Sequence, residues 1–383
     1  MKKVLIFLGI LLMLPKPVFG ASIKLAENAK SAIMIETSTG EILYEKNVDE
    51  RYAPASMTKM MSLLLVMEYI EDGGMKLTDK VTVSENASGM GGSQIFLKTG
   101  EQMTVNDLLK GVAIASANDA VTALAERVAG TTEEFVAMMN KKVKKLGLNN
   151  TNFKNVHGLD ESGHYSSAYD MAMIAKELVK HQKILDYSSI YEDYLREDSE
   201  EKVWLVNTNK LVRFYEGVDG LKTGYTEEAG YCLTATAKKN GMRLITVVMG
   251  EVDSSKRNSE TTKMLDYGFD QYELETLLTR NSVISKTNIS KSTKEEVSIV
   301  PLEDVTLLHK KGNKKKNTSY KLQLDDIRVP IKKGDKVGTL LLTEDNNIIR
   351  KIPVSVNEDI KKANLFELYI RYLGDLISGD IKL

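Results

Sequence analysis

Ser56 and Lys59 stand three residues apart at the head of an apolar stretch, residues 57–70. On a helix that spacing puts a hydroxyl and an amine on one face. A hydroxyl at a helix N-terminus meets the positive end of the peptide dipoles, which favours an anionic nucleophile or an oxyanion. The lysine can take the hydroxyl's proton only when neutral, and burial together with a second nearby cation would lower its pKa. By itself Ser-x-x-Lys is a weak signal. A second copy, Ser199–Lys202, lies in an acidic stretch with no apolar helix behind it and reads as coincidence.

Two further groupings carry similar chemistry. Ser116-Ala117-Asn118 falls between two helical patterns, where a hydroxyl and a carboxamide can point into one cleft. Taken alone, Ser116 reads better as a helix N-cap. Lys222-Thr223-Gly224 precedes a strand hairpin. A cation, a hydroxyl and a glycine on an edge strand suit an anionic ligand, because glycine lets the ligand approach the backbone closely. Lys98-Thr99-Gly100 repeats the triplet but leads into a helix start, and reads as a loop. Metal chemistry is not expected, and neither is a cofactor. Cys232 is the only cysteine, and His157, His164, His181 and His309 show no H-E-x-x-H spacing. His157 reads as a loop residue, Asp170 as a cap, and Cys232 as a buried, inert thiol in a strand.

The elements that must position these residues follow from periodicity. Residues 57–70 are apolar almost all round, which predicts a helix in the middle of a domain. Thr104 with Asp107 starts a helix to Ala115, and 118–128 reads as a second. Thr131 and Glu134 match a capping box that opens a third, ending at Gly147. Ser167 and Asp170 open a fourth, to about Lys180. Residues 30–47 predict one hairpin. Residues 231–237 and 243–249 flank Asn240-Gly241, the strongest short hairpin signal, and predict another. A helix over 259–268 follows. Beyond about residue 275, strand-like runs at 297–300, 305–308, 320–324, 337–342 and 348–356 predict a separate small all-β domain. The lysine-rich run 310–316 reads as a solvated loop.

The two ends depart from the average composition. The chain has 383 residues, 52 Lys+Arg against 53 Asp+Glu, 42% hydrophobic residues and a formal net charge of −1. That balance excludes a long disordered chain and a nucleic-acid binder held by a global positive field, and the length suggests two or three domains. Lys2 and Lys3, the apolar run 4–14, and small residues Val18 and Gly20 read as a secretory signal peptide cleaved near Gly20–Ala21. The run falls well short of the roughly 20 residues needed to span a bilayer. Residues 358–378 read as a strongly amphipathic helix, with Leu365, Tyr369, Tyr372, Leu373 and Leu376 on one face and Glu367, Arg371 and Asp375 opposite. Two readings stand on physics alone: a helix docked on its own domain, or one lying in a membrane interface.

The constellation is more specific than its parts. Ser-x-x-Lys, Ser-x-Asn and Lys-Thr-Gly occur in that order at 56, 116 and 222, the marks of class A β-lactamases and penicillin-binding proteins. The segments Ala53-Pro54-Ala55-Ser56-Met57-Thr58-Lys59-Met60, Ala115-Ser116-Ala117-Asn118-Asp119-Ala120 and Asn155-Val156-His157-Gly158-Leu159-Asp160 extend the match. So does Gly217-Val218-Asp219-Gly220-Leu221-Lys222-Thr223-Gly224-Tyr225-Thr226, followed by Ala229-Gly230-Tyr231. Over about residues 28–272 the chain resembles the low-molecular-mass penicillin-binding proteins that are D-alanyl-D-alanine carboxypeptidases, class C type 5-like, peptidase family S11.

The resemblance implies an α+β fold: a β-lactamase/transpeptidase-like catalytic domain, an antiparallel sheet with helices on both sides, followed by a small all-β domain. The expected division is a signal peptide over 1–20, a serine D,D-peptidase domain over 21–274, a β-rich domain over 275–357 and a membrane-associating helix over 358–383. Family members often end in such a helix, which favours the anchor reading and an extracytoplasmic place, on the outer face of the cytoplasmic membrane or secreted. The implied substrate is the peptidoglycan stem pentapeptide, with β-lactams as inhibitors and no nucleic acid. Ser56 would be the nucleophile, Lys59 the general base and Ser116 a proton relay. Asn118 would hold the peptide, Lys222 would depress the pKa of Lys59, and Thr223 would bind the terminal carboxylate beside Gly224. Tyr225 and Ser56 would supply the oxyanion-hole N–H groups. Arg257 resembles the family's arginine at the carboxylate and equally fits a surface helix position. A D,D-endopeptidase, a class A-like β-lactamase and a non-catalytic penicillin sensor share the three motifs. The β-lactamase would need a Glu-x-x-Leu-Asn-like loop that is not found in the sequence.

Overall fold

The computed structural model of the protein describes residues 24–313 and 317–378. The expected leader, 1–20, and Lys314, Lys315 and Lys316 of the lysine run lie outside the described residues. Strands β1 (Ser31–Glu36) and β2 (Ile42–Lys46) form the first hairpin, and a 3-10 turn, Ala55–Thr58, runs into α1 (Lys59–Glu71). Next come β3 (Lys80–Thr82), α2 (Glu85–Ser88), β4 (Gln102–Thr104), α3 (Val105–Ala115), α4 (Asn118–Ala129), α5 (Thr132–Lys145) and α6 (Ala168–Leu178). The short α7 (Lys183–Ser188), the hairpin β5 (Glu192–Leu195) and β6 (Val203–Val206), and α8 (Leu211–Phe214) precede β7 (Val218–Thr226). β8 (Gly230–Lys239), β9 (Met242–Glu251) and α9 (Ser254–Gln271) complete this part of the chain.

Strands β2-β1-β9-β8-β7 form one antiparallel sheet in that order, which leaves β7 at an edge. Alternation along each strand feeds two cores. Ile33, Ile35, Ile245 and Val247 pack with α1, α4 and α6 on one face. Ala32, Met34, Leu244 and Val248 pack with Met264 and Leu265 of α9 on the other. The sheet is therefore covered by helices on both sides, as the resemblance implies. Asn240 and Gly241 adopt φ of 49° and 82°, the left-handed pair that a tight β8–β9 turn requires. α1 is buried on all sides from Lys59 to Met67, so its one cation sits in the core.

The remaining strands are β10 (Tyr272–Leu278), β11 (Ser285–Thr287), β12 (Val297–Pro301), β13 (Val305–Lys310), β14 (Thr318–Leu324), β15 (Gly338–Glu344) and β16 (Asn347–Val356). They form a sheet in the order β11-β12-β16-β15-β14 and a ribbon of β10 with β13, around a separate apolar cluster. α10 (Leu365–Ser378) ends the described chain. Ser38 Oγ in the β1–β2 turn meets Thr306 Oγ1 of β13 at 2.9 Å, one contact between the two halves.

Three expectations are corrected. Ser116 is not an N-cap: it is the C-cap of α3, with φ 64° and ψ 29°. α9 starts before the expected 259 because Asp253 accepts a 2.7 Å hydrogen bond from the Lys256 N–H, capping a polar first turn that carries no apolar period. The terminal helix starts at Leu365 rather than at 358. Ile360 pairs with Ile331 and both are buried, so the chain is still part of the β packing there. Asn364 Oδ1 accepts from the Glu367 N–H at 2.8 Å, and Glu367 Oε2 accepts from the Asn364 N–H at 2.8 Å, a reciprocal capping box that fixes the true start.

Candidate active site

Ser56 lies in the 3-10 turn that feeds α1, a geometry in which residues three apart eclipse. Lys59 Nζ is 2.8 Å from Ser56 Oγ and donates to the His157 carbonyl at 2.8 Å. Lys59 is 0% exposed. Burial is the largest influence holding its pKa well below the usual lysine value; the neighbouring Lys222 charge adds to it and Asp119 opposes it. The turn is tightly framed. Ala55 has φ 47°, and Gly158, at φ 91°, leaves room where a Cβ would lie 1.9 Å from the Ala55 carbonyl oxygen. Gly158 N–H is held by Asn155 Oδ1 at 2.7 Å.

The histidines nearby are structural. His157 reaches Lys59 through its carbonyl, while its Nδ1 accepts from the Leu159 N–H at 3.2 Å. Burial, then the Lys59 charge, lowers its pKa to about 4. His164 Nδ1 accepts from the Lys154 N–H at 3.0 Å, so Nε2 carries the proton and donates to Thr58 Oγ1 at 2.8 Å. Asp170 accepts from the Asn150 N–H and from Thr151 Oγ1, tying that loop to α6 rather than entering the site.

The α3–α4 junction supplies the second wall. The left-handed backbone at Ser116 ends α3 and turns the chain so that Asn118 begins α4. Asn118 Nδ2 donates to the Gly91 carbonyl at 2.6 Å, while its buried Oδ1 has no hydrogen-bond partner. Asp119, also buried, accepts from the backbone N–H groups of Ile95, Leu97 and Ala120, which pins the 93–97 loop over the junction.

The third wall is the edge strand. Lys222 is buried, and burial followed by the Arg257 charge lowers its pKa to about 7. Thr223 Oγ1 donates to Thr208 Oγ1 at 2.7 Å. A Cβ on Gly224 would lie 2.9 Å from the Pro54 carbonyl oxygen, so the glycine lets β7 press against the nucleophile turn. Tyr225 is half exposed and stacks obliquely on Tyr231, ring centroids 4.4 Å apart. Along the first half of β7, Ser188 Oγ donates to the Asp219 carbonyl at 2.6 Å and Asn209 Nδ2 to the Gly220 carbonyl at 3.0 Å. Arg257, buried on α9, directs Nε and Nη2 to Asn258 Oδ1.

A cleft of about 480 Å³ joins these walls. Ser56, Ser116, Thr223, Gly224, Tyr225 and Arg257 line it, and Lys59, Asn118 and Lys222 lie buried beside those lining residues. Ser93, Thr208, Lys210 and Asn258 also line it and were not singled out from the sequence. They come from loops and an adjacent helix position with no motif of their own. The Asn207-Thr208-Asn209 loop did carry a signal, a cluster of turn-forming side chains. Asn207 Nδ2 bonds the Ser188 and Ile190 carbonyls, which fixes Thr208 against Thr223. The arrangement can generate an oxygen nucleophile beside a neutral amine and hold an anion on buried cations.

Comparisons with known proteins agree over nearly the whole chain. The model of the family described as D-alanyl-D-alanine carboxypeptidase matches residues 19–253, and that of the penicillin-binding protein 5 C-terminal domain matches residues 272–362. The D-alanyl-D-alanine carboxypeptidase DacF of Bacillus subtilis is 52% identical over 353 residues, covering 92% of this chain and 91% of that relative. The solved penicillin-binding protein 5 of Haemophilus influenzae superposes with a TM-score of 0.71 at 33% identity, covering 90% of this chain and 100% of that one. Penicillin-binding protein D2 of Listeria monocytogenes, solved with ampicillin bound, gives 0.58 at 31% identity over 65% of this chain and 99% of that one.

Proposed function

The chain belongs to the D-alanyl-D-alanine carboxypeptidase family, and from that premise we propose that it removes the terminal D-alanine of peptidoglycan pentapeptides through an acyl-enzyme on Ser56. The observation that carries the reading is the 2.8 Å contact between Ser56 Oγ and the fully buried Lys59. A neutral Lys59 accepts the Ser56 proton as Oγ bonds to the carbonyl carbon of the scissile peptide. The oxyanion is met by the N–H groups of Ser56 and Tyr225. Ser116 relays that proton from Lys59 to the leaving D-alanine nitrogen, the C–N bond breaks, and an ester remains on Ser56, with Lys59 neutral again. Water then hydrolyses that ester. Asn118 holds the peptide, while Lys222, Thr223 and Arg257 receive the terminal carboxylate. The unpartnered Asn118 Oδ1 is a ready acceptor for a substrate N–H. A β-lactam follows the same first step and stays on Ser56.

The division into a catalytic domain over 21–274, a β-rich domain and a terminal helix is part of the same proposal, with the exposed helix now beginning at Leu365. That helix rests on the outer face of the cytoplasmic membrane. Its apolar Leu365, Phe366, Tyr369, Ile370, Leu376 and Ile377 face solvent, while Arg371 on the polar side donates to the Ser292 carbonyl at 3.1 Å. A docked helix would bury the opposite face. Among the described residues, no helix is long and apolar enough to cross a membrane, and an interfacial helix needs no such length.

The test is release of D-alanine from a muropeptide pentapeptide, with Ser56→Ala as control. Release should fall by about 10³-fold or more in the variant, and penicillin labelling should vanish. An intact, penicillin-labelled protein that frees no D-alanine would sink the reading, as would rapid benzylpenicillin hydrolysis without D-alanine release.

A further inference from the structure

We propose that Asp160 and Thr226 are positioning residues, whose hydrogen bond clasps β7 to the loop seated on the nucleophile turn and sets the gap between the two oxyanion N–H groups. The proposal rests on the carboxypeptidase reading and adds two residues that hold its geometry. The N–H groups of Ser56 and Tyr225 belong to different elements, the 3-10 turn and the edge strand. Neither element by itself fixes the distance between them. A donor stabilises the oxyanion only when it lies about 3 Å from the point where that charge forms, so the gap must be held.

One face of β7 meets the turn. No bulge interrupts the strand between Lys222 and Thr226, so Lys222, Gly224 and Thr226 share that face by alternation. The Lys222 charge reaches Lys59 there, and a Cβ on Gly224 would meet Pro54 and Ala55 at 2.9 and 3.1 Å. Such a contact limits how near the strand can come and does nothing to keep it from drifting away. Thr226, last in the row, supplies the attraction. Its Oγ1 accepts from the Ala229 N–H at 3.0 Å and donates to Asp160 Oδ1 at 2.8 Å. The first bond uses the hydroxyl as an acceptor, which leaves its proton for the carboxylate.

Asp160 stands on a base tied to the same turn. Gly158 is seated against the Ala55 carbonyl and Thr58, and the His157 carbonyl accepts from Lys59 at 2.8 Å. Asn155 Oδ1 accepts from the Gly158 N–H, while its Nδ2 donates to the Leu159 carbonyl and to Glu161 Oε2, both at 3.0 Å. Asp160 lies between those last two residues. The clasp therefore runs from the Ser56 turn, through residues 155–160, to Thr226, one residue beyond Tyr225. Asp160 and its bond to Thr226 are exposed, so losing that bond costs little overall stability. Its effect is on local geometry.

Acylation by benzylpenicillin, followed in stopped flow, separates binding from bond formation. In Asp160→Ala and in Thr226→Val the limiting acylation rate should fall about tenfold. The dissociation constant of the preceding noncovalent complex and the thermal midpoint should stay as in the wild type. Asp160→Asn keeps an acceptor and Thr226→Ser keeps the hydroxyl, so each should restore most of the rate. The double variant Asp160→Ala/Thr226→Val should be no slower than the slower single variant, because both remove one bond. A wild-type acylation rate in Asp160→Ala overturns the proposal, and so do losses that multiply in the double variant. A loss as large in Asp160→Asn would assign the effect to charge, and a loss carried by the dissociation constant would make the pair a ligand contact; either result overturns it. A rate that falls in step with the thermal midpoint across the variants would be a folding defect and does the same. Failure of the wild type to release D-alanine would instead sink the carboxypeptidase reading, and acylation, which stops at the Ser56 ester, would still decide the clasp.

Discussion

Lys59 and Lys222 divide the electrostatic work between them. Lys59 is pushed well below the lysine range by burial, with Lys222 adding to the shift, and Lys222 is lowered to about 7 by burial and Arg257. The rate on the free enzyme should rise with pH as Lys59 loses its proton and fall as Lys222 loses the charge that attracts the carboxylate. Lys222→Gln removes a cation beside Lys59, so the Lys59 pKa rises. The acidic limb of the kcat/KM profile should move to higher pH, the alkaline limb near 7 should disappear, and the rate should drop about a hundredfold. Gly158 makes a steric counterpart. Its φ of 91° and the 1.9 Å approach to the Ala55 oxygen leave no room for a methyl group. Gly158→Ala should displace the nucleophile turn, cutting the rate of penicillin acylation and lowering the thermal midpoint, both measurable on one preparation. The residues that do this work were legible because short motifs keep them together in sequence. Thr208, Ser93 and Asn258 were not, because only the folded chain brings two loops and the first turn of α9 to the cleft.

Elements were legible where period and cap coincide. Thr104, Thr131 and Ser167 each accept a backbone hydrogen bond from the residue three positions on, as their spacing predicts. The start of α9 was not legible, since its first turn is polar and its cap follows a strand directly. The short strands β3 to β6 and the helices α2, α7 and α8 hold too few residues to show a period. At the β9–α9 junction the buried Glu251 has a pKa raised to about 8, first by burial and then by its neighbour Glu260. Its folded pKa lies above its unfolded one, so its contribution to stability is present at low pH and lost as pH rises through about 8. Glu251→Gln should flatten the fall in thermal midpoint between about pH 4.5 and 8, and a fall as steep as in the wild type would exclude this origin.

At the scale of the whole molecule, the separate small all-β domain followed from the switch in texture near residue 275, while the α+β fold of the catalytic part followed from the resemblance carried by the three motifs. The tail was misjudged by one segment, because Ile360 and Ala363 are apolar enough to extend the helical pattern while they pack in the β sheet region. A truncation that tests the anchor therefore belongs after Asn364, not after Val356. The chain cut after Asn364 should keep D-alanine release on soluble substrate and lose sedimentation with anionic vesicles. Retained sedimentation would locate the membrane contact elsewhere.

The side chains that cap the Asp219 and Gly220 carbonyls give β7 a further property. They occupy the strand up to the point where Thr223, Gly224 and Tyr225 reach the cleft. At about 3.3 Å per residue, what is left to a visiting chain spans only a few residues. The edge has a stop at one end, and a chain pairing with it has residues 221–226 to lie along, about 20 Å.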